Sequence, residues 1–136
     1  MKRFLGFVLI LSLVFTLCGC SAGISGDDAK ELVNDFLDKV EEKDYEGAED
    51  FLHPECTADL QAFFTALEND KGIDFSSIQI KRYTGFESSV YTSDVDGSRF
   101  LLKMQVSASG EDLFMEVEIV KNDSGYGIYH LHIDFA

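Results

Sequence analysis

Residues 100–119 read FLLKMQVSASGEDLFMEVEI, and this stretch decides the fold. Phe100, Leu102, Met104, Val106 and Ala108 alternate with Leu101, Lys103, Gln105 and Ser107, and Leu113, Met115, Val117 and Ile119 then alternate with Glu116 and Glu118. A period of two sends successive side chains to opposite faces, so each segment reads as a strand with one apolar face. Ser109-Gly110 between them is a hairpin turn, and Asp96-Gly97 is a second one just upstream. Further upstream, Ile78 and Ile80 begin a strand that runs to Thr84. Gly85 to Ser89 reads as an interruption, and Val90 to Ser93 as a short second strand. Downstream, Asn122 to Gly125 leads into a last strand with Tyr129, Leu131, Ile133 and Phe135 on one face. Four or five antiparallel strands are predicted.

Before Gly72 the period changes. Ala29, Leu32, Val33, Phe36, Leu37 and Val40 recur at spacings of three and four, which predicts an amphipathic helix from Asp27, with Asp27 or Asp28 as its cap. Tyr45, Ala48, Phe51 and Leu52 predict a short second helix that Pro54 terminates. Thr57 is the predicted cap of a third, with the stripe Leu60, Phe63, Phe64 and Leu67, ending over Asn69 to Gly72. Helices followed by strands with one apolar face each predict an α+β fold: two or three N-terminal helices packed on a curved antiparallel sheet of four to five strands.

The composition sets limits on function. The chain has 136 residues, 25 Asp plus Glu against 11 Lys plus Arg, and a net charge of -14, so its field repels phosphate backbones; no nucleic-acid partner is expected. It is too short for repeated βαβ units and has no glycine-rich phosphate loop, which excludes doubly wound nucleotide-binding folds and implies no cofactor. Residues 27–59 hold 13 acids against Lys30, Lys39 and Lys43, a net of -10. Spread around helical arcs rather than spaced as a calcium loop, they read as solvated faces before they read as a surface for a basic partner.

The N-terminus poses a different physical problem. Lys2 and Arg3 precede an uncharged apolar run over residues 4–18, about 23 Å long as a helix and short of a bilayer core of about 30 Å. A secretory signal fits better than a permanent span. Leu17-Cys18-Gly19-Cys20 resembles the lipobox of bacterial lipoproteins, with Leu three residues before an invariant Cys and a small residue just before it. The resemblance implies a signal peptide over residues 1–19, lipidation of Cys20 as the new N-terminus, a tether over 20–26 and a domain over 27–136. It places the protein on the extracytoplasmic face of a bacterial membrane. A disulfide of Cys20 with Cys18 or Cys56 is the competing role for that thiol. Cleavage would leave 9 basic against 25 acidic residues, a net of -16, and Cys56 as the one remaining thiol.

The run from Phe36 through Lys43-Asp44-Tyr45-Glu46-Gly47-Ala48, the short helix ending near His53-Pro54-Glu55 and the following meander of strands resemble the NTF2-like (cystatin-like cone) superfamily, including its small bacterial lipoproteins. The resemblance spans about residues 27–135. It implies a cavity or groove and no particular reaction, since the superfamily holds isomerases and dehydratases beside non-catalytic modules.

Residues with chemistry are few. His130, His132 and Asp134 alternate along the last strand and share a face; His130 and His132 are candidate ligands for one zinc-like ion, with Asp134 as a third ligand or an orienting acceptor. The plainer reading is a polar strand face beside Glu116 and Glu118. For an enzyme, His130 or Asp134 is the candidate general base, with Tyr83 or Tyr91 as donor to an oxyanion. No acid dyad matches the resembling enzymes. His53 before Pro54 reads as a local cap, and Cys56 between Glu55 and Thr57 as an inert thiol. The leading expectation is therefore a non-catalytic module that binds a protein, peptide or small ligand, or a second copy of itself. A small lyase, isomerase or hydrolase is the alternative.

Overall fold

The computed structural model describes residues 23–91 and 97–135. The signal segment, Cys18, Cys20, Asp96 and residues 92–93 of the expected short strand lie outside the described residues.

Helix α1 spans Gly26–Glu41 and buries Ala29, Val33, Phe36, Leu37 and Val40, the expected stripe. Its cap is Ser25, whose hydroxyl accepts from the Asp28 amide at 3.1 Å; Asp27 and Asp28, the predicted caps, instead occupy the first turn, where unpaired amides favour carboxylates. Helix α2, Tyr45–Glu49, is capped by Asp44, which accepts from the Gly47 amide at 2.9 Å. It stops well short of Pro54, because residues 51–53 leave the helix to pair with the sheet. Helix α3, Leu60–Lys71, starts later than Thr57 implies: Asp59 accepts from the Ala62 amide at 3.0 Å and caps it. Gly72, in the left-handed region at φ 67°, closes it.

Four strands follow: β1 (Gln79–Tyr91), β2 (Gly97–Ala108), β3 (Glu111–Asn122) and β4 (Gly125–Phe135), paired antiparallel in chain order. The break predicted at Gly85 to Ser89 is absent. β1 is one strand with two register shifts, between Ile80 and Arg82 and between Tyr83 and Gly85, so the glycine marks a bulge rather than an end. At the β2–β3 turn Ser109 has φ 52° and Gly110 φ 76°, the paired positive values of a tight hairpin.

The inward rows of β2 and β3 are those of the alternation, and Phe100, Leu102, Met104, Val106, Leu113, Met115, Val117 and Ile119 are all buried. Helices cover this face alone. Phe64 is the hub of the packing, with its ring 5.1 Å from Phe63 and Phe75, 5.6 Å from Tyr45 and 6.5 Å from Phe36. The molecule is thus α+β, three helices on one side of a four-stranded antiparallel sheet. Among the described residues no helix is long and apolar enough to cross a membrane.

β4 departs from simple alternation. Glu118 faces His130 while Ile119 faces Ile128, which leaves Tyr129 as the extra residue of a bulge. Ile128, not Tyr129, fills the core position, and Leu131, Ile133 and Phe135 then resume the inward row.

Candidate ligand-binding groove

The outer face of the sheet carries the sequence candidates. His130, His132 and Asp134 are exposed, and His132 Nε2 lies 3.0 Å from Asp134 Oδ1. Their cross-strand neighbours are Glu118, Glu116 and Phe114. Arg99 Nε holds Glu118 at 2.9 Å, and Lys103 lies 3.6 Å from both Glu116 and Glu87. Arg82 donates to Gln105 at 2.9 Å. Among the described residues the face is a ladder of polar pairs interrupted by half-buried Leu101, buried Val120 and exposed Phe114, with no contiguous exposed apolar patch of the kind sheet-face dimerisation needs. Among the described residues no three His, Cys, Asp or Glu converge to hold a metal ion, and Asp134 is engaged by the neighbouring imidazole.

The enzymatic constellation is dispersed. Tyr83 lies on β1 and His130 and Asp134 on β4, the two edges of the sheet, so about 14 Å of strand spacing separates them. The Tyr83 hydroxyl accepts from Asn34 Nδ2 at 3.5 Å, and Lys30 sits 4.8 Å from its ring centroid. Tyr91 is on that same distant strand.

A different site forms beside β4. After α2 the chain runs parallel to β4 for one bridge, Leu52 to Ile128: the His53 amide donates to the Ile128 carbonyl at 2.8 Å and the Ile128 amide to the Phe51 carbonyl at 2.9 Å. Gly127 permits this approach, since a Cβ there would meet the Leu52 and His53 backbone. His53, 1% exposed, then locks the segment in place. Its Nδ1 accepts from the Glu55 amide at 3.1 Å, so Nε2 carries the proton and donates to Asn122 Oδ1 at 2.9 Å. Asn122 Nδ2 donates to Glu55 at 2.9 Å, while its oxygen also accepts from the Ser124 and Gly125 amides at 3.0 and 3.2 Å. The expected local cap is therefore a long-range clamp, and Tyr129 stands edge-on to the His53 ring at 6.2 Å.

Beyond the bridge the chain swings away at Pro54 and returns as α3, leaving a groove of about 260 Å³ against β4. Leu52, Leu60, Phe63, Ile128 and Leu131 give it apolar walls. Cys56, half-buried and outside any disulfide, and His130 are its polar margins; Asp134 is not part of it. A wider trough of 370 Å³ lies between α1 and the start of β1, but Asn34, Asp38, Glu41 and Gln79 make its lining mixed, and it is more open to solvent. A more apolar and less open lining excludes water better, so the β4 groove is the stronger site.

Shifted pKa values lie away from both. Glu68 and then Asp74, 3.6 and 3.5 Å away, raise that of Lys43. Hydrogen bonds from Ser76, the side chain first and then the amide, hold Asp74 below its ordinary value. Burial, then Asp28 and Glu31, raises Tyr126. None of these groups points to acid or base work in the groove.

The groove was invisible to pattern reading because its parts are distant in sequence. The nearest signal is Asn122-Asp123-Ser124-Gly125, which reads as the link into the last strand; nothing in the sequence ties it to His53. Compared with known protein families, curated proteins and solved structures, the chain matches none.

Proposed function

We propose that the protein is a lipid-anchored, extracytoplasmic binding module of NTF2-like architecture, tethered through Cys20 and holding an apolar ligand in the β4 groove without transforming it. The observation that carries this reading is the groove itself: a depression of about 260 Å³ with apolar walls, clamped by a fully hydrogen-bonded buried histidine rather than by a poised acid and base. The NTF2-like part is supported by the helices-then-meander order and by Ala48, which is wholly buried where α2 packs closely. Against a lyase, isomerase or hydrolase stands the exposure of His130 and Asp134 and their distance from Tyr83.

Two measurements test the proposal on the full chain recovered from bacterial membranes. Labelled palmitate should enter the wild type and not Cys20→Ala. The environment-sensitive dye Nile red should bind the wild type saturably and lose that binding in Ala58→Trp, which fills the groove from an exposed position. Equal dye binding by both proteins contradicts the groove assignment.

A further inference from the structure

We infer that the β4 groove takes an extended, cationic, apolar peptide, added as a further strand along the open edge of β4. The inference rests on the groove being the binding site and names its occupant.

Three observations converge. First, β4 is an edge strand, and among the described residues its outer side meets another backbone segment at a single bridge, Leu52 to Ile128. An edge strand turns the N–H and C=O of alternate residues outward, where they need partners. Further along β4, His130 and Leu131 line the groove. Among the described residues the chain thus starts a fifth strand at Leu52 and leaves it where the depression opens.

Second, the walls suit a strand and not a polar metabolite. Leu60 and Phe63 from α3 face Ile128 and Leu131 across the depression, so every second side chain of an added strand would enter apolar surroundings. Backbone pairing supplies affinity in this mode, and the pockets select the alternate side chains.

Third, charge selects the sign of the partner. Leu52, Cys56 and Ala58 form one wall, and their segment, residues 52–59, carries Glu55 and Asp59 and no Lys or Arg; the α2 region just before it adds Asp44, Glu46, Glu49 and Asp50. The whole chain is at -14 before any processing. Lysines or arginines flanking the apolar core of a peptide would meet this field favourably and speed the encounter. An anionic or neutral strand would lack that gain.

The test uses the full-length protein in detergent and a blocked heptapeptide, Lys-Val-Thr-Ile-Thr-Val-Lys, which spans about 24 Å when extended. Two variants of the peptide are N-methylated, one on the odd-numbered amides and one on the even-numbered amides. Strand addition predicts that one set loses about tenfold or more in affinity while the other stays within about twofold, because only one row of amides faces β4. Ala58→Trp, checked for folding by circular dichroism, should abolish binding, and added salt should weaken the parent peptide. If both methylated peptides bind like the parent, or both weaken alike, strand addition is overturned while groove binding stands. If the parent peptide does not bind and Nile red does, the occupant is wrong. If neither binds, the groove reading fails as well.

Discussion

The two edges of the sheet solve the same problem in different ways. β1 is bulged at Ile80/Arg82 and at Tyr83/Gly85 and carries Lys81 and Arg82, and α1 lies over its middle through Lys30, Asn34 and Tyr83. Bulges and charges discourage another strand from joining. Among the described residues β4 has one bulge, one bridging residue from the α2–α3 connection, and then an apolar groove along its outer side. Among the described residues this edge is covered where it must hold the fold and left open beside apolar walls, the arrangement that the proposed strand addition requires. The contrast locates the lapse in edge protection at β4, away from the strand face where titratable residues gather.

The largest break would come from the packing that both edges share. Phe64→Ala should cost about 3–5 kcal/mol in urea unfolding, since it removes the ring that joins α1, α2 and the turn before β1. The next two changes separate the edges. Gly127→Val forces a Cβ into the Leu52 and His53 backbone and should destabilise by about 2–4 kcal/mol while abolishing groove binding. Gly85→Ala on β1 meets only the flexible Lys103 side chain, 3.3 Å away, and should cost about 1 kcal/mol or less with binding intact. Equal losses at the two glycines would remove the asymmetry on which the account rests.

His53→Ala should cost about 2–3 kcal/mol, because the Asn122 oxygen and the Glu55 amide lose a buried partner. Binding should weaken with it, while Asp134→Ala leaves binding unchanged by calorimetry. A smaller effect concerns pH. Asp74 is held below its ordinary pKa in the fold, so it binds protons more weakly there than in the unfolded chain. Its contribution is present at neutral pH and is lost as pH falls below about 4, through the unfolded value and then the depressed one. Asp74→Asn should therefore flatten the acid limb of the stability profile and leave groove binding at pH 7 intact. Smallest of all, His130→Ala with His132→Ala should change stability by no more than about 0.5 kcal/mol, and the wild type should show no stoichiometric metal by elemental analysis.

Legibility in the sequence followed the locality of the forces. The inward rows of β2 and β3 and the buried stripe of α1 were readable because each is a periodic record of one buried face. The α1 cap was misplaced by two or three residues because Ser25, Asp27 and Asp28 all suit a helix start, and only the backbone decides among them. Gly85 read as a break because a bulge and a strand end use the same residue for the same conformational freedom. In β4 the bulge at Tyr129 shifts the phase, so that Ile128 takes the core position which strict alternation gave to the tyrosine. His130, His132 and Asp134 were placed correctly on one shared face, yet that face is the solvent side. The groove depended on Leu52 meeting Ile128 and His53 meeting Asn122, pairings that no local pattern records.

Amide hydrogen exchange on the full-length protein, with and without the lysine-flanked heptapeptide, tests the central claim most directly. Strand addition at β4 should slow exchange over residues 128–132 and leave residues 86–91 of β1 unchanged. Slowing at the β1 edge instead, or no slowing along β4 at saturating peptide, would contradict it.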